Sequence, residues 1–134
     1  MPRRLVPLVP EFYYHIYNRG NNRQAIFFQA DIYVYFLGKV EEYLLPVLDV
    51  LVYCLMPTHF HMLVRARAVP KQPSEILKTS EASSVSPAAL AMMRLSVSYT
   101  KAINKRFNRV GALFQGAFRA IPIEASDHLL DLCR

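Results

Sequence analysis

No apolar run in this sequence is long enough to cross a bilayer as a helix. The amino terminus, MPRRLVPLVPEF, is broken by prolines where a signal peptide needs an uninterrupted apolar stretch. There are only two cysteines, Cys54 and Cys133, too few for a disulfide framework. No internal repeat and no sustained heptad is present. These absences exclude a helical membrane span, a disulfide-stapled secreted scaffold, a solenoid and a coiled coil. They leave the expectation of a cytoplasmic protein in a reducing compartment, with Cys54 as a small core residue. One more absence is local. Between Ala82 and Phe118 there is no Asp or Glu, while Arg94, Lys101, Lys105, Arg106 and Arg109 fall inside that stretch and Arg119 just beyond it. Net charge is +6 and the pI about 9.6. A basic segment of this kind suits a polyanion such as nucleic acid, although a solvated helix face has the same composition.

What is present is apolar enough to fold. With 134 residues, 53% of them hydrophobic, and a mean hydropathy of +0.15, the chain is expected to form one domain, 1–134, with its own core. FYYHIYN at 12–18 reads as a strand that ends in the turn cluster Arg19-Gly20-Asn21-Asn22. Ile32, Tyr35, Phe36, Val40, Tyr43 and Leu44 recur at helical spacing, and Pro46 stops that helix. VLDVLVYCLM at 47–56 has the continuous apolar character of a central strand. After the Pro57-Thr58 corner, HFHMLVRA at 59–66 alternates as its hairpin partner. Residues 67–86 read as a loop or short helix. Ser86-Pro87 opens a helix running to about residue 108, before Gly111. FQGAFRAIPI at 114–123 reads as a last strand, and Ser126-Asp127 as the cap of a C-terminal helix, HLLDLCR. Strand, helix, strand, strand, helix, strand is the α+β, ferredoxin-like (split βαβ, RRM-like) pattern, an antiparallel sheet with helices on one face.

Within YCLMPTHFHMLV the histidines His59 and His61 are two apart, so on a strand they project together while Phe60 and Met62 face the other way. Two imidazoles side by side can grip a divalent ion. Two partly exposed histidines bonded to neighbours would look the same. Zinc is one option, but no Cys or His spacing nearby completes a structural zinc site. Water and phosphate oxygens would suit Mg or Mn instead. On the basic helix, Tyr99 sits among Ser96, Ser98 and Thr100, a polar setting that singles it out from the other seven tyrosines as a candidate nucleophile.

Three ordered motifs then resemble one family: YHIYNRGNNRQAIF at 14–27, LMPTHFHMLV at 55–64 and YTKAINKRFNRVGALFQGAFRA at 99–120. They resemble the REP-associated tyrosine transposases, relatives of the insertion-sequence-200-like single-tyrosine HUH transposases. The resemblance implies metal-dependent cleavage and strand transfer of single-stranded DNA at hairpins through a 5′-phosphotyrosine intermediate. It implies Tyr99 as nucleophile, His59 and His61 as ligands of a divalent metal, Mg or Mn, and a homodimer on single-stranded or hairpin DNA, with no membrane partner. The family's third ligand is a polar side chain about one turn past the tyrosine. Ile103 occupies that position here, which moves the expectation to Asn104. Asn18, Arg19, Asn21, Asn22 and Arg23 form a candidate DNA-contacting loop, in which Gly20 permits an unusual backbone. Arg94, Lys101, Lys105, Arg106 and Arg109 are expected to contact DNA from the helix. His15 reads as a structural residue, and Phe107 and Phe114 read as core packing, with stacking on unpaired bases as the alternative. Family members usually continue past the position where this chain stops, so a truncated tail is expected. The alternative is a catalytically inactive ferredoxin-like nucleic-acid-binding module.

Overall fold

The computed structural model of the chain describes residues 8–67 and 86–123. Strand β1, Tyr13–Arg19, alternates strictly: Tyr14, Ile16 and Asn18 are buried, and the intervening residues face outward. It runs through Gly20 into a single 3-10 turn, Asn21–Arg23. Gly20 has an ordinary φ of −68°. Its lack of a side chain matters for a different reason from the one expected: a Cβ there would stand 2.0 Å from the Gln24 carbonyl oxygen. The unusual backbone belongs to Asn22 and Arg23, at φ 56° and 59°.

Helix α1, Ala30–Tyr43, buries Ile32, Phe36 and Val40, spaced one turn apart along one stripe. Strands β2, Leu48–Met56, and β3, His59–Ala66, form the hairpin around Pro57-Thr58. Helix α2, Pro87–Arg106, begins at Ser86, whose Oγ accepts from the Ala89 amide at 3.1 Å, with proline in the first turn. Strand β4 is Arg119–Ile123, shorter than the expected 114–123. Phe114 instead bridges to Gly20, and the backbone turns over the following residues before the strand starts. The C-terminal helix expected from Ser126, and most of the 67–86 stretch, lie outside the described residues.

The four strands order as β2-β3-β1-β4, each neighbouring pair antiparallel. This is the expected ferredoxin-like arrangement. Ile32, Phe36, Met92, Leu95, Tyr99 and Ile103 from the helices pack against Tyr14, Ile16, Phe60, Met62 and Val64 from the sheet. Burial of each large apolar side chain contributes about 1.5–3 kcal/mol. One strand departs from its expected place. The apolar run of β2 is an edge strand, bulged between Val50 and Val52, with Leu51 and Tyr53 about half exposed. Cys54 is exposed on it rather than buried. Apolar, β-branched composition favours any strand, and it does not say how many neighbours the strand has.

Candidate functional site

The alternation that buries Phe60 and Met62 puts His59 and His61 on the sheet face away from the helix residues. The register then decides their company. His59 lies between Arg19 of β1 and Met56 of β2, and His61 between Tyr17 and Cys54. On its far side, Tyr17 pairs with Arg119 of β4. The two histidine rings stand 5.0 Å apart between centroids and 88° to one another.

Each ring is held by the same nitrogen. His59 Nδ1 is 3.2 Å from the Thr58 hydroxyl, and His61 Nδ1 is 2.8 Å from His15 Nε2. Neither Nε2 has a hydrogen bond among the described residues. Burial, and then the proximity of His59, push the His61 pKa below its ordinary value, favouring the neutral ring that carries a lone pair. Two imidazoles bound to one ion at about 2.1 Å place their centroids roughly 5 Å apart at a tetrahedral-to-octahedral angle. The observed centroid separation matches that expected for two ligands of one ion. Among the described residues, no group of three or more His, Cys, Asp or Glu gathers to hold a metal. The rest of a shell would have to come from water or phosphate oxygens.

The histidine end of this face is basic. Tyr17, Asn18, Arg19, Gln115 and Arg119 line a cavity of about 280 Å³. Arg19 Nε donates to Gln115 Oε1 at 2.5 Å, and neither Arg19 nor Arg119 forms an ion pair among the described residues. At the opposite end, Arg65 is neutralised by Glu11 and Asp49, and Arg67 by Asp49. The 3-10 turn abuts the corner that carries His59: the Gly20 amide donates to the Thr58 carbonyl at 2.9 Å, and Ile26 to Pro57 at 2.8 Å. Asn22 and Arg23 are exposed there, and Asn21 is half-buried.

The polar setting expected for Tyr99 requires correction, and the structure places three further groups of expected site residues. Tyr99 is not in a polar setting; it is 0% exposed, packed among Phe27, Phe36 and Phe114, and its hydroxyl donates to the Ile26 carbonyl at 2.5 Å. Burial, with Tyr33 and Tyr35 close by, pushes its pKa well above the ordinary tyrosine value, which opposes the phenolate. The sheet separates it from the histidine pair. Asn104 is likewise not beside the histidines: its amide donates to the Gly111 carbonyl at 3.1 Å, and its oxygen accepts from Arg109 Nη1 at 2.5 Å, closing the C-terminal end of α2. Asn18 is 4% exposed and bonded to the Gly116 carbonyl, so it ties β1 to the 114–118 turn and presents little to DNA. The basic residues of α2 divide. Arg106 is engaged with Asp31 and Gln29, and Arg109 with Asn104 and Gln24. Arg94, Lys101 and Lys105 are exposed in the helix layer, where Arg94 and Lys101 border a groove of about 500 Å³ with Tyr43, Leu90, Met93 and Val97.

Residues that the motifs did not single out take their place. His15, Tyr17 and Arg119 share the open face with the pair, and Tyr17 packs against His15 at a tilt of 31° and stacks on His61, at centroid separations of 4.9 and 5.8 Å. The odd-numbered parity of 15, 17 and 19 along β1 was visible in the sequence. That this parity faces the histidines depends on the β1–β3 register.

No protein-family model matches the sequence, and no curated protein matches it. Solved structures do. The REP-associated tyrosine transposase, determined bound to a REP hairpin, superposes with a TM-score of 0.63 at 10% sequence identity, over 98% of this chain and 68% of that one. A candidate transposase from Deinococcus radiodurans R1 superposes with a TM-score of 0.51 at 13% identity, over 98% of this chain and 94% of that one. At these identities the likeness is one of architecture: this chain carries the fold of the REP-associated tyrosine transposase.

Proposed function

We propose that the chain is a DNA-processing enzyme of the transposase kind, cleaving and rejoining single-stranded DNA beside a hairpin with a divalent ion, Mg or Mn, held by His59 and His61. The observation that carries this reading is the anchored pair itself. Two half-buried imidazoles on a basic sheet face are each bonded at Nδ1, and neither Nε2 has a hydrogen bond among the described residues. The shared fold with a transposase bound to hairpin DNA supports it. A bound ion would supply polarisation of the scissile phosphodiester. Arg19 and Arg119 would neutralise the DNA backbone beside that phosphate, and Asn22 and Arg23 would extend the contact around the His59 corner. In the transfer step an oxygen nucleophile forms a bond to phosphorus while the 3′-oxygen leaves and takes a proton. Reversal by a free 3′-hydroxyl rejoins the strands.

In the arrangement described, the Tyr99 hydroxyl is buried and bonded to the Ile26 carbonyl, so attack by Tyr99 would require it to leave the core first. Of the eight tyrosines, Tyr17 stacks on His61. Incubation with single-stranded hairpin DNA and Mn²⁺, followed by peptide mapping of any covalent adduct, tests the chemistry directly. Cleavage that His59→Ala and His61→Ala abolish supports the reading.

The burial of Tyr99 and the engagement of Asn104 favour a second reading: a nucleic-acid-binding module without a nucleophile of its own. Salt-sensitive hairpin binding with no cleavage across a panel of hairpins would select it.

A further inference from the structure

His15 lies outside every ligand set considered above, yet its Nε2 is 2.8 Å from His61 Nδ1. One proton occupies that contact, and its owner decides what His61 can do. If His15 donates, His61 carries its own proton on Nε2 and has no lone pair facing outward. If His61 donates from Nδ1, its Nε2 is a free acceptor. We infer that His15 is a positioning residue that accepts from His61 Nδ1–H and so holds His61 in the tautomer whose Nε2 binds a divalent cation.

Three observations converge on this. The contact is at full hydrogen-bond distance between two rings only 22° from parallel with centroids 5.0 Å apart, the separation that an edge-to-edge N–H···N bond gives. Tyr17 packs against both rings, which restricts their rotation and keeps the two nitrogens aligned. His59 shows the parallel arrangement, with the Thr58 hydroxyl at its Nδ1. Both histidines are thus oriented through Nδ1, with Nε2 making no hydrogen bond among the described residues, and metal-binding imidazoles are ordinarily held in this way by outer partners. This deepens the proposed function and rests on its choice of His59 and His61 as ligands.

Two measurements separate the inference from that reading. In metal-free protein, above the ordinary histidine titration range, ¹⁵N chemical shifts should report His61 protonated on Nδ1. In His15→Leu the proton should move to Nε2. In His15→Gln, whose side-chain oxygen can occupy the place of Nε2, it should return to Nδ1. Mn²⁺ titration, read by paramagnetic broadening of the His59 and His61 ring signals, should weaken about 10- to 100-fold in His15→Leu and recover in His15→Gln. An Nε2–H tautomer in the wild type overturns the inference, as does unchanged Mn²⁺ affinity in His15→Leu. Equal loss in both variants also overturns it, because His15 would then act as a ligand. If wild-type protein fails to bind Mn²⁺ while its tautomer is Nδ1–H, the metal reading fails and the hydrogen bond stands.

Discussion

The Tyr99 hydroxyl donates to the Ile26 carbonyl across 2.5 Å, fastening α2 to the segment that follows the Asn21–Arg23 turn. In this arrangement the sequence's most conspicuous candidate nucleophile is also a core strut. Tyr99→Phe should therefore act on stability, leaving a buried carbonyl unpaired at a cost of about 1–3 kcal/mol. Urea unfolding should show a lower midpoint with an unchanged slope, and hairpin DNA affinity should stay within a factor of two, roughly the reach of a surface-neutral change.

The same burial has an alkaline consequence. In the unfolded chain Tyr99 ionises near the ordinary tyrosine value, about 10. In the folded chain its pKa is higher, because burial disfavours the phenolate. Below pH of about 10 the hydroxyl is protonated in both states and its stabilisation is complete. As pH rises above that value, the unfolded state loses the proton first and stability falls. Tyr99→Phe should flatten this alkaline decline in the thermal midpoint. A decline equally steep in both proteins would assign it to other groups.

Gly20→Ala tests the close approach at the His59 corner. A methyl group 2.0 Å from the Gln24 carbonyl cannot be accommodated without moving backbone. Overpacking of this kind costs about 1–3 kcal/mol. The Gly20 amide bond to Thr58 should be displaced with it, so amide exchange at Gly20 and Ile26 should accelerate well beyond that within β1.

His59→Ala and His61→Ala each remove one of the two proposed ligands while leaving Phe60 and Met62 in place. Mn²⁺ binding should be lost in either, with the metal-free protein destabilised by only about 0.5–1.5 kcal/mol for the lost hydrogen bond, because neither ring is part of the helix-side core. A large drop in the metal-free midpoint would instead mark them as structural residues.

The two basic surfaces make different predictions for DNA. Arg19→Ala and Arg119→Ala should each weaken single-stranded DNA binding and reduce the slope of log affinity against log salt by about 0.7. Arg94→Ala and Lys101→Ala, on the helix layer, should change the slope less. The opposite ranking would move the interface to the groove beside α2.

Local chemistry made much of the architecture legible. Ser86-Pro87 caps α2 where the pattern placed it, and the period-two run HFHMLVRA becomes β3 with the expected residues inside and out. These features depend on side chains a few positions apart, which a sequence displays directly. β2 was harder. Its apolar residues matched a central strand, but an edge strand is defined by a neighbour it lacks, and composition cannot count neighbours.

The histidine pair and its shared face followed from alternation alone, since strand geometry lets residues 59 and 61 project together whatever else the chain does. The fate of Tyr99 did not. Ser96, Ser98 and Thr100 surround it in sequence, yet on a helix its spatial neighbours are Leu95 and Ile103, one turn away on the buried stripe. Which stripe α2 buries was set by packing against Ile16, Phe60 and Phe36, contacts separated from it by dozens of residues. The company of His61 was decided the same way: only the β1–β3 register brings His15 and Tyr17 against it, because register is a relation between strands and no single strand encodes it.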